Sequence, residues 1–148
     1  MKLVETLDTE FKSALKNKDA EKLSILRLVR SNIKNLEIEK QAEASDEDVV
    51  EILQREIKQH NESIEANKTA NRAEEIARLE KEVAFLKQYL PEQLSSSELK
   101  DVIEDAITDT QAENMSDMGK VMGKVMSQVK GRTTGDAVNQ MVRDLLSK

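Results

Sequence analysis

Residues 76–98 read IARLEKEVAFLKQYLPEQLSSSE. Ile76, Leu79, Val83, Leu86 and Leu90 recur at intervals of three and four, the period of one face of an α-helix. The row stops at Pro91, the only proline in the sequence. The residue before a proline avoids helical geometry, so the helix is expected to close there. A little further on, Ser95 stands three residues ahead of Glu98, the spacing of a capping box that opens a new helix. The stretch therefore predicts a helix, a break and a second helix. It places a domain boundary at Pro91, with an N-terminal helical domain over 1–91 and a smaller C-terminal one over 92–148.

The flanks repeat the pattern. Toward the N-terminus, Leu3, Leu7, Phe11 and Leu15 predict a first helix, broken at Asn17-Lys18-Asp19. Leu23, Leu26, Val29, Ile33 and Leu36 predict a second helix over 20–40, about 30 Å long at 1.5 Å per residue. Ser45 followed by Asp46, Glu47 and Asp48 reads as an N-cap and an acidic first turn that suits the positive end of a helix dipole. A third helix through Val49, Leu53, Ile57, His60 and Ile64 follows, with a turn expected at Asn67 to Asn71. Toward the C-terminus, Leu99, Val102, Ile103, Ala106 and Ile107 mark one helix and Met118, Met122, Val125 and Val129 a second, ended by Gly131. Thr134 caps a last helix through Val138, Met141, Val142 and Leu145. No alternating, strand-like pattern interrupts this succession. The expected fold class is all-α: about four helices in a long-helix N-terminal domain, then a three-helix tail.

Composition agrees. The chain has 148 residues, enough for a core that removes roughly 68–70% of the unfolded surface from water. Only Phe11, Phe85 and Tyr89 are aromatic, so that core is expected to be aliphatic. A mean hydropathy of -0.61 would fit disorder if the apolar residues lacked a period, which they do not. The net charge of -6 argues against general affinity for DNA or anionic membranes, which needs a broad basic face. There is no cysteine, hence no disulfide and no thiolate chemistry, as in a reducing compartment. Glu5 falls where a signal peptide would be apolar, and the longest run of aliphatic and aromatic residues is Val83-Ala84-Phe85-Leu86. The expected location is the cytoplasm, with no membrane partner.

Catalytic groups are scarce. The four glycines, at 119, 123, 131 and 135, fit neither a phosphate loop nor a dinucleotide fingerprint. His60 is the single histidine, with Glu56 one helical turn before it. The pair reads either as a buried structural histidine or as a general base or metal ligand. Asp46-Glu47-Asp48 and Glu74-Glu75 read as helix-end charge and solvated surface. No cofactor and no metal is expected.

The segment with most content is 117–135, DMGKVMGKVMSQVKGRTTG. Gly119 and Gly123 lie four apart within a helical pattern, each costing about 1 kcal/mol relative to alanine. Close approach of another backbone would account for them, either a neighbouring helix of the chain or a bound partner. Met118, Met122 and Met126 read as core, or as an adaptable surface. From Met118 to Arg132 there are four bases, Lys120, Lys124, Lys130 and Arg132, and no acid. This segment reads as an anion-facing patch or as helix-end compensation with a solvated face. Lys22, Arg27, Arg30 and Lys34 form a second basic row without interleaved acids. Neither row contains an aromatic stacking platform.

At Tyr89-Leu90-Pro91-Glu92-Gln93-Leu94, at the paired-glycine helix from Asp117 to Met126 and at Lys130-Gly131-Arg132, the sequence resembles the YqeY family over its whole length. These are small stand-alone bacterial proteins whose domain is shared with the tail of GatB, a subunit of the tRNA-dependent amidotransferase. The resemblance implies a helical N-terminal domain joined to a three-helix tail, and a tail that helps to hold the outer body of tRNA. Gly119, Gly123, Met126, Lys130, Gly131 and Arg132 match the GatB side, whereas Lys120 and Lys124 are particular to the YqeY side. Thr134 stands where an acid or amide is expected before Gly135. The catalytic and ammonia-producing parts of the amidotransferase have no counterpart, so a glutamine-dependent carbon–nitrogen ligase label would come by association only. The expected function is a non-catalytic accessory module. It would bind tRNA through Lys130, Arg132, Lys120 and Lys124, with Gly119, Gly123, Met126 and Gly131 as a close-packing or partner face. Amidotransferase subunits are the protein partners implied. The alternative is a protein-interaction module without RNA.

Overall fold

In the computed structural model the protein is all-α. The structure describes residues 2–147; Met1 and Lys148, the outer ends of the two expected domains, lie outside them. Seven α-helices are present among the described residues: α1 Leu3–Lys16, α2 Ala20–Lys40, α3 Asp46–Thr69, α4 Ala73–Lys87, α5 Ser96–Thr110, α6 Met118–Val129 and α7 Gly135–Leu146. A short 3-10 turn, Met115–Asp117, precedes α6. The chain divides into two compact units, Met1–Leu90 and Pro91–Lys148.

The first unit holds α1 to α4. Its core is aliphatic: Leu7 from α1, Ile25, Leu26, Val29 and Ile33 from α2, Val49, Ile52, Leu53 and Ile57 from α3, and Leu79, Val83 and Leu86 from α4 are buried together. The few aromatic residues lie at its margin, where Phe85 and Tyr89 meet edge to face with centroids 5.5 Å apart. Local signals fix the ends of these helices. Ser45 Oγ accepts from Asp48 N–H (3.1 Å) while the Asp48 carboxylate accepts from Ser45 N–H (3.0 Å), a reciprocal capping box at the start of α3. Asp19 caps α2 one way only, its carboxylate accepting from Lys22 N–H (3.2 Å).

Two boundaries differ from the sequence pattern. Helix α3 continues to Thr69, into the stretch expected to turn, and the chain reverses only where Asn71 adopts a φ of 57°. Asparagine tolerates that left-handed conformation better than most residues. Helix α4 ends at Lys87, three residues before Leu90. Tyr89 N–H donates to Leu86 O (3.2 Å) and Leu90 N–H to Lys87 O (3.2 Å), so the last turn tightens before the proline is reached.

In the second unit each helix contributes one buried row at helical spacing: Leu99, Ile103 and Ala106 from α5, Val121, Val125 and Val129 from α6, and Val138, Val142 and Leu146 from α7. Ser95 caps α5 by accepting from Glu98 N–H (3.1 Å), but the Glu98 carboxylate accepts from the serine hydroxyl (3.2 Å) where a capping box would use the backbone. Thr134 caps α7 through Ala137 N–H (3.1 Å). No helix among the described residues is long and apolar enough to cross a membrane.

Candidate nucleic-acid or partner interface

Helix α6 has four distinct sides. Val121, Val125 and Val129 point into the core, and Met118, Met122 and Met126 flank them, partly buried and packed against it. Met126, expected on the close-packing or partner face, therefore belongs to the margin of the core. Two residues along a helix turn the side chain by about 200°, so Gly119, Gly123 and Ser127 form an exposed row opposite the valines. A methyl group built on Gly119 or Gly123 would meet nothing within 4 Å. Of the two explanations for the paired glycines, a neighbouring helix is not found against them among the described residues. The internal-packing reading assumed that something must lie close above them, but α5 and α7 contact the valine side.

The four candidate cations do not gather at a point. Lys120 and Lys124 stand on successive turns beside the glycine row, and Lys130 and Arg132 lie in the loop after the helix. Lys124 and Lys120 each face an acid. Lys124 Nζ is 2.9 Å from the Asp109 carboxylate at the end of α5, and Lys120 Nζ is 4.0 Å from Asp117. The backbone N–H of Glu113 donates to the Asp117 carboxylate at 2.9 Å, and that bond, with the Lys120 ammonium, holds the Asp117 pKa below the usual aspartate value. Sequence alone shows no acid between the bases, because Asp109 arrives from another helix.

Arg132 has a structural role that the sequence did not disclose. Its Nε donates to Glu92 O (3.1 Å), and its own carbonyl accepts from Leu94 N–H (2.9 Å). Gln93 Nε2 bridges Pro91 O (2.8 Å) and Gly131 O (2.9 Å). The Pro91–Leu94 junction and the Lys130–Arg132 loop, two of the marks behind the resemblance, are thus one clasp within the second unit. Gly131 has a φ of 82°, in the left-handed region that favours glycine, and lets the chain turn into this clasp.

His60 occupies the first unit, far from this surface in sequence. It is buried, as is Glu56. His60 Nδ1 faces Glu56 O at 2.9 Å, and Nε2 faces the Glu82 carboxylate at 2.6 Å. Both ring nitrogens meet oxygen acceptors. Asn32 donates to Glu56 Oε1 (3.0 Å) and Arg78 to Glu82 Oε1 (2.9 Å), so each carboxylate is satisfied. No group of three or more histidine, aspartate or glutamate side chains is arranged to hold a metal ion among the described residues.

A two-unit, all-helical protein whose candidate site is an exposed helix face and a clasped loop is the class these observations define. A family model for Yqey-like proteins, YqeY, matches residues 4–146, and the chain belongs to that family. No curated protein matches it.

Proposed function

We propose that this protein is a cytoplasmic, non-catalytic accessory module related to the tRNA-dependent amidotransferase, and that its second unit holds tRNA on the outer face of α6 and the loop that follows. The observation that supports this best is the open space above Gly119 and Gly123. Without side chains there, a phosphate backbone can come close to the helix, while Lys120 and Lys124 stand beside the row and Lys130 and Arg132 beyond its end. Recognition would rest on shape and backbone charge. The ion pairs at Lys120 and Lys124 are exposed, and such pairs are worth about 0–1 kcal/mol, so a polyanion can displace their acids at little cost.

The test is tRNA binding as a function of salt. Each phosphate that a variant no longer neutralises flattens the slope of log affinity against log salt by about 0.7 to 0.9. Lys120→Glu with Lys124→Glu, and separately Lys130→Glu, should weaken binding and flatten that slope. Arg132→Glu should weaken it too, but circular dichroism must first show that the clasp survives. Unchanged tRNA affinity in all of these variants removes the assignment. Recovery of crosslinked tRNA or amidotransferase subunits with the protein from cells tests the partnership itself.

The same open face favours one second reading, a protein-interaction module in which a partner helix packs on Gly119 and Gly123. Gly119→Leu should then abolish a protein partner and leave salt-dependent RNA binding, if any, unmoved. Amide formation from glutamine by the purified chain would refute both readings and restore the ligase label.

A further inference from the structure

Three members of the second basic row, Arg27, Arg30 and Lys34, which have no part in the tRNA surface of α6, line a groove of about 540 Å³ in the first unit. Arg27, Arg30, Ser31 and Lys34 lie on consecutive turns of α2, and Asp8 of α1 and Glu37 complete its polar lining. A volume of this size is typical of a small-molecule site. The two acids are already engaged. Asp8 accepts from Arg30 Nε at 3.0 Å, and Glu37 accepts from Ala44 N–H at 2.9 Å. Arg30 also stacks on Phe11, its guanidinium carbon 4.0 Å from the ring centroid. It is therefore held by two contacts that leave its terminal nitrogens uncommitted. Arg27 and Lys34 are exposed and make no ion pair with any described residue.

We infer that this groove binds a small phosphate-bearing ligand, an oligophosphate or phosphate ester, through Arg27, Arg30 and Lys34. In a chain of net charge -6, three cations over about 10 Å of one helix face outnumber the two acids of the groove, Asp8 paired with Arg30 and Glu37 turned to a backbone N–H, and leave Arg27 and Lys34 facing it as a local anion site. A pre-oriented guanidinium can offer a phosphate two parallel N–H groups, which a lysine cannot. Ser31, between Arg27 and Lys34, adds a hydroxyl donor. No aromatic ring lines the groove, so a base would find no stacking surface, and this separates the site from one for single-stranded nucleic acid.

The experiment is calorimetric titration of the full chain with inorganic tripolyphosphate, with sulfate and chloride at matched ionic strength as controls and a short single-stranded RNA as a separate arm. Saturable binding of tripolyphosphate is expected, with affinity reduced at least tenfold by Arg27→Gln with Lys34→Gln and unaltered by Lys100→Gln. All three are exposed side chains, so folding is not at issue. Absence of saturable binding overturns the inference. So does equal binding by the groove variant, binding no stronger than that of sulfate at matched ionic strength, or RNA binding that depends on Arg27 and Lys34 while tripolyphosphate does not bind. Failure here leaves the tRNA reading untouched, because the variants lie in different units.

Discussion

Replacing Glu82 by leucine isolates the buried polar network of the first unit. The side chains of Glu82 and His60 are 11% and 9% exposed, and their contact is 2.6 Å. Leucine leaves His60 Nε2 without an acceptor, leaves Arg78 without one of its two carboxylate partners, and keeps Glu56 buried nearby. Leaving a buried polar group without its hydrogen-bond partner costs about 1–3 kcal/mol. Because Arg78 is half exposed and can turn to water, the middle of that range, about 2 kcal/mol, is expected. For a unit of this size each kcal/mol moves Tm by about 4–8 °C, so the transition should fall by roughly 8–16 °C. Glutamine is the informative control. Its amide can donate to an unprotonated Nε2 while Nδ1 still donates to Glu56 O, so Glu82→Gln should cost only about 1 kcal/mol. Tyr89 is the one tyrosine and there is no tryptophan, so tyrosine fluorescence during urea unfolding follows the first unit without signal from the second. The reasoning fails if Glu82→Leu costs less than about 1 kcal/mol, or if glutamine and leucine cost the same.

Four further outcomes are expected. The Lys40 ammonium and then the Ser45 N–H hold the Asp48 carboxyl at about 2, below its ordinary 3.8; its contribution to stability is complete above pH 3.8 and is lost as pH falls through 2, and Asp48→Asn should flatten that part of an acid-unfolding profile. Burial, helped by the Glu10 charge, pushes the Tyr89 phenol from 10.0 up to about 12. The unfolded phenol releases its proton first, so stability should decline as pH rises from 10 toward 12, and the tyrosinate absorbance at 295 nm should appear near pH 12 in the folded chain. Gly119→Ala and Gly123→Ala place a methyl group in open space within a helix and should each stabilise the second unit by up to about 1 kcal/mol in thermal unfolding. Gly131→Ala, at a φ of 82°, should destabilise it by about 1–2 kcal/mol in the same measurement.

The helices were legible because their cores are made of spaced aliphatic residues, and a period survives in a single sequence. Leu99 to Ala106 and Val138 to Val142 carry that period plainly, although the buried leucine at the end of α7 is Leu146 and not Leu145, and Ser45, Ser95 and Thr134 mark three helix starts by side-chain chemistry that acts over three residues. What was illegible arises between residues distant in sequence. Asp109 reaches Lys124 from another helix, and Gln93 reaches Gly131 across 38 positions. The glycine pair misled because a missing side chain signals either something pressed close or something left bare, and only the surroundings of α6 distinguish the two. The period puts His60 on the apolar face of α3, where it is buried, but its contact with Glu82 depends on how α4 lies along α3.

The clasp also sets where the tail starts as a piece of matter. Secondary structure alone would suggest trimming an expressed fragment to the first residue of α5. Such a fragment would discard Pro91 to Leu94, and with them the carbonyl that receives Arg132, the amide side chain that grips Gly131 and the N–H that meets Arg132 O. The loop before α7 would then lose the strut that sets its course, so the shortest piece that keeps the tail's surface intact begins at the proline.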